Sequence, residues 1–166
     1  MSTSSAPALT LMPHTLTITA YGLPSPQGSK RSVGPGVVID QNPRALQTWR
    51  EDVKLATLRA LEATPSWEKA YPAVVGYFTF AMPRPQHHHV GGDRLRELRA
   101  NAPQLHSIRP DVDKLLRSTL DALTSAGAWR DDSLLAQAFV VKRYVGAGPD
   151  TLDLPGVRVV LTGVAR

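Results

Sequence analysis

Asp111 and Asp113 lie where the chain is predicted to enter a helix, and a second acidic pair, Asp131 and Asp132, follows the predicted end of that helix. Pro110 disfavours a helical conformation at the preceding residue, so the chain should arrive extended and turn helical at the first pair. Neighbouring carboxylates repel unless cations accompany them, and oxygen-only ligands suit hard ions such as Mg²⁺ or Mn²⁺. A short reversal after the helix would return the second pair to the first, which predicts a metal site.

Each acidic pair also has a simpler interpretation. An Asp before a helix is commonly an N-cap, and Asp131-Asp132 is commonly part of a turn. A calcium loop is excluded, because Val112 and Leu115 interrupt the polar alternation and no Gly stands at the sixth position. The metal site is therefore predicted from the two pairs taken together.

The helix that must position these carboxylates is predicted to be amphipathic. Leu116, Leu120 and Leu123 recur at helical spacing, and Gly127 is typical of a helix end. The polar cluster after Gly127 opens an apolar run that predicts a strand. The helix should thus pack one face on a core and carry the acids at its ends.

A polar face of the same helix carries Asp113, Arg117 and Asp121 at intervals of four residues. Four-residue spacing allows ion pairs, so Arg117 is predicted either to hold the two acids in place or to stabilise negative charge at the site. Lys114 is a second basic candidate for that role.

In this region the sequence resembles the RusA family of Holliday junction resolvases, small DNA endonucleases of bacteria and their phages. The resemblance is dense from about Ile108 to Lys142 and looser elsewhere. It is carried by the segments Pro110-Asp111-Val112-Asp113-Lys114-Leu115-Leu116-Arg117, Leu120-Asp121-Ala122-Leu123 and Gly127-Ala128-Trp129-Arg130-Asp131-Asp132. Arg117 stands where the family has a functional Lys, and Lys114 stands where better-known members carry Asn.

The resemblance implies an endodeoxyribonuclease that hydrolyses phosphodiester bonds in branched DNA, and a phage or prophage type is expected. By the same resemblance, Asp111, Asp113 and Asp132 would be the catalytic carboxylates and would hold Mg²⁺ or Mn²⁺. It further implies a homodimer whose two sites face opposing strands of a four-way junction. The alternatives are an inactive DNA-binding module of the same fold and a metal-dependent nuclease acting on other nucleic-acid structures.

Composition is consistent with this interpretation without requiring it. The 166 residues suit one domain, and 42% hydrophobic with 20% charged residues is ordinary globular usage. The formal net charge is +5 although the acidic total includes the proposed ligands, which favours a polyanionic partner. The absence of cysteine excludes disulfides and thiolate zinc sites and favours a reducing cytoplasm. No apolar stretch is long enough to predict a membrane span.

Two basic segments are predicted to contact DNA. Lys30 and Arg31 form the tip of a long loop predicted over Gly22 to Gly36. The irregular stretch 83–109 precedes the first acidic pair and is predicted to be a mobile clamp. Its DNA-binding candidates are Arg94, Arg96, Arg99 and Arg109. Zinc at His87-His88-His89 is disfavoured, because adjacent residues do not present three rings to one ion.

The predicted elements give an α+β domain in the order β-α-β-α-β-β with a mixed sheet of about four strands. Residues 1–13 are predicted to be a disordered tail and residues 14–166 the domain. Trp49 lies on the apolar face of the first helix and should be core. The strand at 73–82 is apolar on both faces, which predicts cover on two sides. Strands are predicted at 15–21, 73–82, 134–144 and 157–164, and helices at about 42–63 and 111–126.

Overall fold

The computed structural model describes residues 14–28, 30–35, 37–40, 42–92, 97–148 and 150–164. The predicted tail at 1–13 lies outside these residues, as do Arg94 and Arg96. The predicted class and order of the main elements are confirmed. The elements are β1 His14–Tyr21, β2 Lys30–Gly34, β3 Val37–Asp40, α1 Pro43–Ala63, β4 Ala73–Met82, α2 Val112–Ala126, β5 Leu135–Tyr144 and β6 Gly156–Val164.

A four-stranded mixed sheet in the order β1-β6-β4-β5 forms the centre of the domain. β6 pairs antiparallel with both β1 and β4, whereas β5 pairs parallel with β4. The side chains of β1 alternate between the two faces of the sheet. Leu16 and Ile18 are inaccessible, whereas the alternating residues Thr15, Thr17 and Thr19 are exposed. The parallel strand β5 returns to the sheet through α2, which therefore crosses the inner face.

Both helices bury an apolar stripe against the inner face of the sheet. Trp49 and Val53 of α1 are 1% and 0% exposed, so the prediction that Trp49 is core is confirmed. Leu115 and Leu123 of α2 are inaccessible and join the same cluster as Phe78 of β4. Within the described residues, no helix combines the length and apolar character that crossing a membrane requires.

The outer face of the sheet is open, which corrects the prediction that β4 is covered on both sides. Tyr77 of β4 and Phe139 of β5 are 49% and 46% exposed, and their rings stack with centroids 4.8 Å apart. Both helices lie on the inner face, so Tyr77 on the outer face of β4 packs on the neighbouring strand rather than under a helix. Apolar residues on both faces of β4 were therefore not sufficient to predict that both faces are covered.

The segment predicted as a loop over Gly22 to Gly36 contains the start of an unpredicted hairpin, in which β2 pairs antiparallel with β3. The chain before this hairpin lies along the first half of α2. The Gln27 N–H donates to the carbonyl of Lys114 at 3.0 Å, and the Ser118 hydroxyl donates to the carbonyl of Ser25 at 2.7 Å. The hairpin therefore begins close to the N-terminal end of α2.

The stretch at 83–109 is anchored to the domain near its start, which corrects the expectation of a wholly mobile clamp. Arg84 and His88 are 6% and 8% exposed. The Arg84 guanidinium donates to the carbonyl of Pro103 at 2.8 Å and lies 4.9 Å from the ring centre of Tyr144. A buried guanidinium in such contacts holds the segment against the end of β5, so Arg84 does not face a ligand.

Candidate functional site

The start of α2 carries the first acidic pair, as predicted. Asp111 is extended and immediately precedes the helix, and Asp113 lies exposed in its first turn. The helix forms because its apolar residues recur on one side, and it ends at Gly127 in the left-handed conformation with φ 77°. The Asp111 side chain does not cap the helix, however. Asp111 thus occupies the predicted N-cap position without making the capping hydrogen bond.

Lys114 is the partner of Asp111. Its Nζ lies 3.0 Å from Oδ2 of the carboxylate, one turn into the helix. The hydrogen bond from Lys114, and next its charge, lower the pKa of Asp111 below the ordinary value, with smaller contributions from Arg109 and Lys142. Asp111 is consequently an anion at neutral pH, which is the form that binds a cation.

Lys142 of β5 fixes the chain just before the acidic pair, a role that the sequence did not reveal. Its Nζ donates to the carbonyls of Ile108 and Pro110 at 2.5 and 2.6 Å. Burial lowers the pKa of Lys142, and the charge of Asp111 partly opposes that shift. The only available signal was a lysine near the end of a predicted strand, and nothing local linked it to Asp111.

Asp132 lies beyond the C-terminal end of α2. It is exposed at the start of a 3₁₀ turn, Asp132–Leu134, which leads into β5. The fifteen residues of α2 span about 22 Å. The return strand covers about 23 Å between Leu135 and Lys142, the residue that reaches the start of α2. Asp132 is thus roughly one helix length from Asp111.

The expected convergence of the two acidic pairs is therefore wrong for a single chain. Among the described residues, which include all the predicted ligands, no group of three His, Asp or Glu side chains is placed to hold a metal ion. The physical reason is the helix end: the Ala128 N–H bonds to the carbonyl of Leu123, and the Trp129 indole bonds to Thr124. These contacts hold the chain at the C-terminal end of α2.

The other charged residues of α2 and the turn have separate partners. Asp121 lies 3.7 Å from Arg50 of α1, and no ion pair within the described part of the chain joins Arg117 to Asp121 or Asp113. Asp131 accepts a hydrogen bond from the Ser133 N–H at 2.9 Å, which fits the predicted turn role. Hydrogen bonding to the Ser133 side chain, and next to its N–H, lowers the pKa of Asp131. Arg117 is therefore available to a ligand at the exposed side of α2.

A family model, described as endodeoxyribonuclease RusA, matches residues 23–152, most of the chain. The chain belongs to the RusA endodeoxyribonuclease family. The match contains both acidic pairs, Lys114, Arg117 and Lys142. RusA-family nucleases cleave DNA at Holliday junctions and generally require a divalent metal, so the class of activity follows from membership. No curated protein matches the chain.

Only some of the basic residues that were predicted to bind DNA lie within the part of the chain that the structure describes. Arg99 and Arg109 are exposed, and the Arg99 guanidinium donates to the carbonyl of His89 at 3.1 Å. Lys30 and Arg31 lie in β2, which follows the segment that packs on α2. Arg94 and Arg96 lie outside the described residues. Near the start of α2 the RusA-family chain therefore combines exposed acids with Arg109, Lys114 and Lys142.

Proposed function

We propose that this protein is a Mg²⁺- or Mn²⁺-dependent endodeoxyribonuclease that resolves Holliday junctions or related branched DNA by phosphodiester hydrolysis. The observation that carries the proposal is the RusA family match over a segment that places Asp111 and Asp113 together at an exposed, cation-rich helix start. We also propose that the protein acts in the cytoplasm of a bacterium or a phage-infected host.

The donor set fits a hard divalent cation. Asp111 just before α2 and Asp113 in its first turn are exposed carboxylates, and Lys114 keeps Asp111 ionised. Asp132 is the proposed third ligand. Since one helix length separates Asp132 from Asp111 within a chain, we infer that a homodimer brings the Asp132 of one copy to the Asp111 and Asp113 of the other.

The residues around the proposed ion have distinct roles. A divalent cation held there would lower the pKa of water and offset the negative charge that builds on the phosphate. Asp111 and Asp113 fix its position on a rigid helix. Lys114 or Arg117 neutralises charge on the phosphate oxygens, and a guanidinium can do so through two parallel hydrogen bonds.

DNA binding is assigned to the basic residues that the sequence analysis predicts for it. These are Lys30, Arg31, Arg94, Arg96, Arg99 and Arg109. The segment before β2 packs on α2, and Arg109 precedes the acidic pair, so the chain entering β2 and Arg109 both lie near the start of α2. Contacts of this kind bind phosphates without reading bases, and affinity should fall as salt is raised.

The test is cleavage of labelled four-way junction, duplex and single-stranded DNA with Mg²⁺ or with EDTA. We expect Mg²⁺-dependent cutting of the junction and little cutting of the linear substrates. Asp113→Asn should abolish cutting while junction binding persists or strengthens, because the change removes a ligand and one negative charge. Asp150→Asn, at an exposed residue near β6, is the matched control.

The other outcomes identify the competing functions. Junction binding without cutting by the wild-type protein would indicate an inactive DNA-binding module. Mg²⁺-dependent cutting that prefers flaps or RNA would indicate a nuclease for another structure. Full cutting by the Asp113→Asn variant would refute the site assignment.

A further inference from the structure

The chain that leads to the first acidic pair is anchored on the domain by a histidine. Over residues 103–109 every residue is exposed except His106, which is 7% exposed. Its apolar neighbours Leu105 and Ile108 are 56% and 62% exposed. Aliphatic side chains are usually the ones buried, and imidazoles less often. Here the order is reversed, so the one buried anchor of this stretch is a side chain that can change its charge near neutral pH.

The backbone on either side of this anchor is fixed to the end of β5. The His106 N–H donates to the carbonyl of Lys142 at 2.9 Å, and the Tyr144 N–H donates to the carbonyl of Gln104 at 3.0 Å. Four positions after His106, the carbonyl of Pro110 accepts a hydrogen bond from the side chain of Lys142 at 2.6 Å. The 103–110 segment is therefore held on β5 up to the residue before the acidic pair.

The His106 ring lies among aromatic and basic groups. Its centroid is 4.8 Å from that of Tyr144, which is itself 4% exposed. The titratable and charged groups around this cluster are Tyr144 and Lys142 of β5, Arg84 and His88 after β4, and the exposed Arg109 of the same segment. Within the described residues, no carboxylate contributes to the pKa of His106. A proton on this ring would thus add positive charge where nothing acidic offsets it.

The protonated ring would also lack a hydrogen-bond acceptor. Burial lowers the pKa of His106 and the charge of Lys142 lowers it further, whereas backbone hydrogen bonding at His106 and Ile108 opposes the shift. An imidazolium carries an N–H on both ring nitrogens, and Nδ1 of His106 is buried without a hydrogen-bond partner. A buried charged donor without an acceptor destabilises the state that contains it. Protonation therefore favours conformations in which the ring leaves Tyr144 for water.

Acid weakens this anchor in a pH range of its own. Because the pKa of His106 is lowered in the folded protein, its contribution to holding the segment is present above the ordinary value of 6.5 and is lost as pH falls through the folded value. Lys114 holds the pKa of Asp111 below its ordinary value of 3.8, so Asp111 stays ionised over this range. Release of the segment can therefore be distinguished from protonation of Asp111.

We propose that His106 is a positioning residue: its uncharged ring holds the 103–110 segment on the end of β5, and its protonation releases that segment. The consequence for cutting rests on the proposed function. The backbone that Lys142 holds leads directly to Asp111, so its release loosens a proposed ligand. Weakly acidic solution should therefore raise the concentration of divalent cation that the site needs.

The first test follows amide hydrogen exchange in the wild-type protein as pH is lowered. The Tyr144 amide, bonded to Gln104, shows whether the segment is attached. Its protection factor, which is corrected for the intrinsic pH dependence of exchange, should fall roughly threefold or more between about pH 7.5 and about pH 5.5. His106→Phe keeps a ring on Tyr144 that cannot be protonated, so protection should stay constant. An equal fall in this variant would overturn the inference.

The second test measures the Mg²⁺ concentration at half-maximal junction cutting over the same pH range. This concentration should rise with acid in the wild-type protein and stay nearly constant in His106→Phe. His14→Phe is the matched control and should keep the wild-type rise, because His14 is exposed and also lies beside a tyrosine, with its centroid 5.8 Å from that of Tyr71. A wild-type rise in His106→Phe contradicts the positioning role. Loss of the rise in His88→Phe but not in His106→Phe would show that the wrong histidine was assigned.

The two measurements separate this inference from the proposed function. Mg²⁺-dependent cutting without any pH effect that His106→Phe removes overturns the inference and leaves the proposed function standing. Acid release of the segment in a protein that never cuts does the reverse. If His106→Phe does not fold, the wild-type protein decides: the loss of Tyr144 protection must share its midpoint with the titration of the His106 ring, followed by nuclear magnetic resonance. Different midpoints overturn the inference.

Discussion

At the scale of single residues, Lys114 competes with the ion that the proposed function requires. Its Nζ lies 3.0 Å from the Asp111 oxygen that faces the first turn. The same contact keeps the Asp111 pKa low, so the carboxylate is charged when an ion arrives. Lys114 therefore prepares the ligand, yet it must move or share the oxygen once a cation binds.

Replacing Lys114 by Ala should separate these effects. We expect a lower Mg²⁺ concentration at half-maximal cutting, because a competing positive charge is gone, and a maximal rate reduced several-fold, because a phosphate partner is gone. Cutting assays over a Mg²⁺ series measure both quantities, with Lys54→Ala on α1 as the control. A change in neither quantity would exclude Lys114 from the site.

The same variant has a predicted effect on titration. In the wild-type protein the Asp111 pKa is depressed, so its contribution to stability is present above the unfolded value and is lost as pH falls through the folded value. In Lys114→Ala the Asp111 pKa should rise towards the ordinary value near 3.8. Carboxyl chemical shifts followed by nuclear magnetic resonance measure it. An unmoved Asp111 titration would show that Lys114 is not its main partner.

At the scale of elements, Lys142 joins β5 to the start of α2. Its bonds to the carbonyls of Ile108 and Pro110 cross from one element to another and fix the approach to Asp111. Lys142 is half-buried, and this burial lowers its pKa. Lys142 is thus a positioning residue for the acidic pair rather than a surface charge.

Lys142→Met should keep the aliphatic chain and lose both bonds. We expect cutting to fall at least tenfold with a raised Mg²⁺ requirement, and unfolding free energy to fall by roughly 1–3 kcal/mol. Lys142→Arg should recover part of the activity, since it can donate to the same carbonyls. Arg143→Met is the matched control, because its guanidinium contact to Ala147 is long at 3.5 Å. Equal losses in the two Met variants would mean that Lys142 has no special role.

What the sequence predicted well was local. The period of α2, its stop at Gly127 and the alternation of β1 depend on neighbouring residues, and all appear in the structure. The failures depended on distant contacts: the hairpin of β2 and β3, the open outer face of β4 and the position of Asp132. To predict the position of Asp132, one needs the direction of β5 relative to α2. The spacing of the acidic residues along the chain does not give that direction.

At the scale of the whole molecule, one chain carries the proposed ligands at opposite ends of α2. Asp111 and Asp113 lie at one end and Asp132 at the other, separated by about 22 Å of helix. Two-fold symmetry is the simplest operation that joins unlike ends of identical chains, and it produces two equivalent sites. Such a pair of sites matches a junction in which two strands of like polarity must be cut.

A mixture of two inactive variants tests this arrangement. In a mixed dimer of Asp113→Asn and Asp132→Asn chains, one site receives both substitutions and the other receives none. Cutting should therefore return on mixing and subunit exchange, to about a quarter of the wild-type site concentration under random pairing. The product should be a singly nicked junction rather than paired cuts, because each mixed dimer has one working site.

Mixing Asp113→Asn with Asp111→Asn provides the control: both substitutions affect the same half, so every site stays impaired and no cutting should return. If the first mixture is as inactive as the control while exchange is verified by differently tagged chains, the carboxylates are not shared between copies, and the ion must be held by Asp111 and Asp113 without Asp132.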